Sequence, residues 1–177
     1  MEVLEPIEPS LDFRNVSGLV FRHATVEDLD RIQPLWQALY QHQLEHGMLL
    51  RLPEGAYDAW IKSIRPVLGR FASVVLAELN GEIVAFVAGR IRTLPPYFGS
   101  VTVGAISEVF VSDQHRSRGI GQRLLAFALK WFEDQQITRV ELQVVAGNPD
   151  GIRFYRQLGW HEELLQMVWT PANTKNS

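Results

Sequence analysis

The sequence predicts an α/β (α+β) fold, with a mixed, mostly antiparallel central sheet of about six to seven strands and helices on both faces. Three observations lead there. Some short stretches place apolar residues at every second position, and others place them at three- and four-residue steps. The dipeptide Asn80-Gly81 separates two strand-like runs. In the second half of the chain, strand and helix patterns then alternate.

Leu19 to His23 reads as a short first strand. Thr25 caps a helix, with Asp28 three positions later in an acidic variant of the capping box. Leu29, Ile32, Trp36, Leu39 and Tyr40 keep helical spacing, and Pro34 is expected to kink this helix without ending it. A loop with Gly47, Pro53 and Gly55 leads to a second helical stretch, about Glu54 to Ile64. Ser73 to Leu79 is a strand, Asn80-Gly81 a type I′ hairpin turn, and Glu82 to Ile91 the antiparallel return. The loop Thr93 to Gly99 leads to a strand ending at Val111.

Beyond that strand the period changes. Ile120, Leu124, Phe127, Ala128 and Trp131 mark a helix from Gly119 to about Gln135. Val140, Leu142 and Val144 alternate as a strand. Asn148 and Pro149 open a helix that Gly159 stops, and Glu163 to Trp169 is expected to close the sheet.

The length of 177 residues suits one domain with a full core. Residues 1–18 read as a flexible N-terminal arm, 19–170 as the domain and 171–177 as a polar tail. A formal net charge of −3 leaves no basic excess to follow a phosphate backbone, so nucleic acid is not expected as a partner. The chain has no cysteine, which removes disulfides, thiolate nucleophiles and the usual structural zinc sites. It shows neither a signal-peptide pattern nor an apolar run long enough to span a membrane, so a cytoplasmic location without membrane association is expected.

The segment with the most chemical content is the strand Ile106 to Val111, followed by Ser112 to His115 and then Arg116-Ser117-Arg118-Gly119-Ile120-Gly121. A strand that delivers a turn to a helix N-terminus collects free N–H groups and the positive end of the helix dipole, which makes an anion site. Gly119 and Gly121 are expected to let a phosphate approach, and Arg116 and Arg118 to add charge. Two other phosphate-binding patterns are excluded. No Gly-Lys-Ser/Thr tripeptide occurs, and position 124, where a dinucleotide fingerprint needs its third glycine, is Leu124.

Arg-x-x-Gly-x-Gly after a strand resembles the cofactor signature of the GNAT N-acetyltransferase superfamily. Phe21 to Asp28 is similar to that family's opening strand and helix, the Asn80-Gly81 hairpin to its second and third strands, and Asn148 to Trp160 to its closing cofactor motif. The resemblance covers roughly residues 19 to 169, in order and spacing. It implies acetyl-CoA as co-substrate and no metal. The pantetheine arm would lie between splayed fourth and fifth strands, against the backbone of Val109, Phe110 and Val111. The pyrophosphate would lie on Arg116, Ser117, Arg118, Gly119, Ile120 and Gly121, and Asn148 would also contact the cofactor.

Tyr155 matches the position of the family's general acid, which protonates the departing thiolate; the alternative is a core aromatic. Glu108 is the candidate base at the mouth of the splayed strands. On an ideal strand it shares a face with Ile106 and Phe110, and the alternative is a paired or solvated strand residue. The acceptor implied is a primary amine, of a small molecule or else of a protein α-amine or lysine. A coenzyme A-binding module without catalysis is the reading from another class. A homodimer is a further possibility by analogy. His42 and His46 lack a third ligand for a metal and are expected on the surface or at the acceptor pocket, which Tyr97 and Phe98 could wall. Glu45, Glu54 and Asp58 could attract a cationic amine or be ordinary solvated charges.

Overall fold

The computed structural model describes residues 17–48 and 50–170. The tail and nearly all of the N-terminal arm lie outside the described residues. Five strands form one sheet in the order β1-β2-β3-β4-β5: β1 (Leu19–His23), β2 (Ala72–Leu79), β3 (Glu82–Thr93), β4 (Thr102–Val111) and β5 (Val140–Leu142). Successive pairs from β1 to β4 are antiparallel, and β5 joins β4 in parallel. Helices α1 (Gln33–Glu45) and α2 (Ala56–Ile64) pack on one face, and α3 (Ile120–Asp134) and α4 (Pro149–Gln157) on the other.

Alternation along the strands supplies both cores. Val74, Leu76, Phe86 and Ala88 meet Trp36, Leu39, Trp60 and Ile64 on the first face. Val75, Ala77, Val84 and Val87 meet Leu124, Leu125, Ala128 and Phe132 on the second. The hairpin turn has the conformation its residues favour, with φ of 50° at Asn80 and 88° at Gly81. Asn148 caps α4 by accepting from the Gly151 N–H at 2.9 Å, and Gly159 follows that helix at a φ of 85°.

Four expectations are modified. The first helix is not one kinked helix: Val26–Ile32 winds as a 3-10 helix, and Pro34 sits in the first turn of α1. Proline has no N–H to continue the ladder from the preceding turn, so it starts a helix more readily than it extends one. The strand expected to include Val144 ends at Leu142. Glu163 to Trp169 forms no strand, so the sheet has five members among the described residues. A strand exists only against a partner, and this segment has none among the described residues. The fourth concerns β4. The β3–β4 register shifts so that Ala88 faces Glu108 while Gly89 faces Ile106, which leaves Ser107 as a bulge. Side-chain parity reverses there. Ile106 packs toward α3, whereas Phe110 belongs to the core beneath α1 and α2, so Ile106 and Glu108 do not share a face.

Candidate active site

The bulge at Ser107 coincides with the place where the sheet parts. β5 pairs with β4 only over Gly104–Val140, Ala105–Glu141 and Ile106–Leu142. From Ser107 to Val111, β4 has no partner on its β5 side among the described residues, so the strand offers unpaired backbone groups to whatever enters the gap. Val109, Phe110 and Val111 lie along this edge. The Phe110 ring is buried under the roof helices, so only its backbone is available to a ligand.

The chain then turns through Asp113–His115 into α3. Ser117 has a φ of 60° and Gly119 one of 74°, a winding of the kind that gathers successive N–H groups into a concavity. Gly119 is the N-cap of α3 and no side chain caps that helix, so its first N–H groups and its dipole are left for an anion. Ile120 is buried and anchors the turn.

The two glycines have different tasks. A Cβ on Gly119 would meet open space, and its requirement is the left-handed backbone. A Cβ on Gly121 would lie 3.2 Å from the Phe154 ring and 3.5 Å from Val111, so this glycine lets α3 close onto α4 and β4. Arg116 is occupied within its own loop: its Nε donates to the Val111 carbonyl at 3.1 Å and it pairs with Asp113 at 2.9 Å. Arg118 is exposed and has no ion pair among the described residues, so it is the cation more available to a phosphate.

Tyr155 lies on the inner face of α4, with its ring 5.3 Å from Phe154 and 6.2 Å from Trp160. Its hydroxyl has no hydrogen-bond partner among the described residues, and burial pushes its pKa up to about 12. No residue of α4 is fully buried, although Ile152, Phe154 and Tyr155 are partly so. This half-covered apolar face of α4 lies near the parted edge, since a Cβ on Gly121 would reach both the Phe154 ring and Val111. Asn148, at the mouth of this helix, already has its side-chain oxygen engaged in the cap.

Glu108 is not at an open mouth. It is 3% exposed and held by three donors. Oε1 accepts from the Tyr40 hydroxyl at 3.3 Å and from Trp60 Nε1 at 3.1 Å, and Oε2 accepts from the Ser107 hydroxyl. Burial raises its pKa, and the Ser107, Trp60 and Tyr40 hydrogen bonds oppose that rise. Burial and the adjacent Glu108 charge also raise the Tyr40 pKa. Tyr40 keeps helical spacing in the sequence; its contact with Glu108 spans 68 residues and that of Trp60 spans 48, and helical spacing gives no sign of either.

Tyr40 also lines a cleft of about 530 Å³ between α1 and the loop leading to α2, together with Trp36, Tyr57, Arg51, Glu54 and Asp58. The end of α1 presses on the β5–α4 loop: a Cβ on Gly147 would lie 2.1 Å from the His46 carbonyl oxygen. The end of α1 therefore reaches the loop between β5 and α4. His42 and His46 lie ring against ring at 4.1 Å, and burial, His46 and Arg116 lower the His42 pKa. Among the described residues, no group of three metal-ligating side chains includes them. Tyr97 and Phe98 project into solvent and do not wall the cleft.

A parted parallel edge, an uncapped helix start and a roofed cleft meet on one sheet, which is how an acyl-coenzyme A transferase holds a long cofactor beside an acceptor. The model of the acetyltransferase (GNAT) family matches residues 30–160. The chain belongs to that family, and its domain is that of an acetyl-CoA-dependent acyltransferase. An uncharacterized N-acetyltransferase of Archaeoglobus fulgidus is 31% identical over 76% of this chain and 87% of its own length. Another, of Methanocaldococcus jannaschii, is 29% identical over 87% of this chain; the match spans 66% of that relative. An aminoglycoside N-acetyltransferase solved in complex with CoA has the same fold. Its TM-score is 0.71 at 18% identity, covering 90% of this chain and 98% of that one. No helix among the described residues is long and apolar enough to cross a membrane.

Proposed function

We propose that the protein moves the acetyl group of acetyl-CoA to a primary amine of a small cationic molecule, by direct attack with both substrates bound. The observation that carries this reading is the parting of β4 from β5 immediately before the uncapped start of α3. Coenzyme A would run its pantetheine arm along Val109, Phe110 and Val111 and rest its pyrophosphate on the N–H groups from Arg116 to Gly121. It supplies the activated thioester. No part of the step needs an enzyme nucleophile, and the chain has no cysteine to act as one.

Tyr155, unbonded and protonated at neutral pH, donates to the sulfur as the C–S bond breaks. The burial that lifts its pKa also lifts that of a thiolate formed beside it, so the difference between the two governs the transfer. N–H groups of β4 stabilise the oxyanion. On the acceptor side, Tyr40 faces the cleft and hydrogen-bonds Glu108. Glu108 accepts the Tyr40 proton as Tyr40 takes one from the attacking amine, so the buried carboxylate acts at one remove. Glu54 and Asp58 give the cleft wall two carboxylates against the single cation of Arg51, which favours a cationic acceptor.

The test is a panel of polyamines, amino acids, aminoglycosides and N-terminal peptides with acetyl-CoA, followed by thiol release. Turnover confined to small cationic amines supports the proposal. Turnover confined to peptides moves the acceptor to a protein α-amine. Tight acetyl-CoA binding with no turnover on any amine leaves a non-catalytic coenzyme A-binding domain.

A further inference from the structure

The second half of α1 touches both sides of the parted sheet. On the β4 side, the Tyr40 hydroxyl donates to Glu108 at 3.3 Å, two residues past the last β4–β5 pair. His42, further along, is near enough to the loop after β4 to feel the charges of Arg116 and Asp113. On the β5 side, the His46 carbonyl lies against Gly147, between β5 and α4. Tyr40 and His46 are separated by about 9 Å along the helix axis. One stretch of helix thus links two lips that no strand pairing joins beyond Ile106–Leu142 among the described residues.

The contact is closely fitted from both sides. Gly147 has no left-handed backbone to maintain; what a side chain lacks there is space, because a Cβ would collide with the His46 carbonyl oxygen. Opposite, α1 ends in an ordered turn. Gly47 follows it at a φ of 95°, and the Met48 N–H returns to the Gln43 carbonyl at 3.0 Å. The His46 ring ties the same turn down by donating from Nδ1 to the His42 carbonyl at 2.7 Å. Directly after Gly147 come Asn148 and the helix that bears Tyr155.

We infer that Gly147 is a positioning residue: by leaving room for His46 it lets α1 close over the acetyl end of the cofactor and shut out water. The inference rests on the acetyl-transfer reading, because it is the thioester that needs the cover. Water is the competing nucleophile there. Its attack forms a C–O bond at the acyl carbon as the C–S bond breaks, with one proton passing to the sulfur and the other released to solvent as acetate leaves. An enzyme that holds its acyl donor until an amine arrives works only if that attack is suppressed.

Two variants loosen the contact from opposite sides. Gly147→Ala places a methyl group against the His46 carbonyl, and Gly47→Ala strains the turn that ends α1 while its Cβ meets open space. Free thiol released from acetyl-CoA with no amine present is the readout, beside calorimetry with CoA and circular dichroism. Both variants are expected to release thiol about tenfold faster than the wild type, with CoA affinity within about threefold and unchanged spectra. A contact that only holds the fold together does not raise hydrolysis when it is lost; binding and melting temperature fall instead. Unchanged or slower thiol release in either folded variant overturns the inference and leaves acetyl transfer standing. Failure of both variants to fold also overturns it, since the contact is then structural. A wild-type chain that binds no acetyl-CoA removes the acetyl-transfer reading itself, and this inference with it.

Discussion

Glu108 and Tyr155 are both withdrawn from water, and burial raises the pKa of each, yet the consequences differ. For Tyr155 the raised value keeps the proton in place throughout the working range, so the hydroxyl is a standing donor. Tyr155→Phe is expected to lower kcat by about 10²-fold, with acetyl-CoA affinity within about twofold of wild type by calorimetry. Unchanged turnover would remove Tyr155 from the reaction. For Glu108 the raised value sets when the base becomes available. The carboxyl is neutral below its folded pKa, so kcat/KM should rise with pH along a limb above the ordinary carboxylate range. Glu108→Gln should abolish that limb and lower the plateau by about tenfold or more. A limb that persists in the variant would assign it to the amine. The motif put Tyr155 forward as the candidate general acid. The burial of Glu108 was not legible, because a one-residue bulge at Ser107 turns it under the roof, and a bulge is a property of two paired strands.

Between elements, the cluster around Asp28 ties the first strand and the 3-10 helix to the sheet. Its carboxylate accepts from Arg22 at 2.6 and 2.8 Å, from Arg31 at 2.9 Å and from the Thr25 N–H at 2.9 Å, while Arg22 also reaches Glu78 on β2. The Arg22 guanidinium holds the Asp28 carboxyl well below the usual carboxylate range. A depressed folded pKa contributes stability that is present above the unfolded pKa and is lost as pH falls. Asp28→Asn is expected to cost about 3 kcal/mol at neutral pH. In thermal melts that is a fall of roughly 6–12 °C, and the gap to wild type should narrow as the pH is taken below the ordinary carboxylate range. An equal gap at all pH values would mean that packing, not charge, is lost. This element was half legible: Thr25 and Asp28 announced a helix start, but the arginines that complete the cluster come from three and six residues away and serve a strand contact as well. Local patterns also located the hairpin, α3 and α4. They failed at Glu163 to Trp169, expected to close the sheet, which pairs with no strand among the described residues.

At the scale of the whole molecule, a sheet that parts after three residue pairs creates a groove, and the helix beginning at its end supplies the charge. Both follow from the order of elements, which is why the family could be recognised from spacing while the acceptor could not: the cleft proposed to receive the amine is lined by residues between 33 and 58, from contacts between helices. The cofactor site is therefore where a single experiment decides most. Titrating acetyl-CoA into the full chain by calorimetry, beside a Gly119→Val variant, addresses it directly. Gly119 suits this purpose better than Gly121, because a side chain there meets open space and strains only the loop. The expected result is saturable one-to-one binding by the wild type and at least tenfold weaker binding by the variant, with the same circular dichroism spectrum in both. No binding by the wild-type chain would contradict the proposed acetyl transfer at its root.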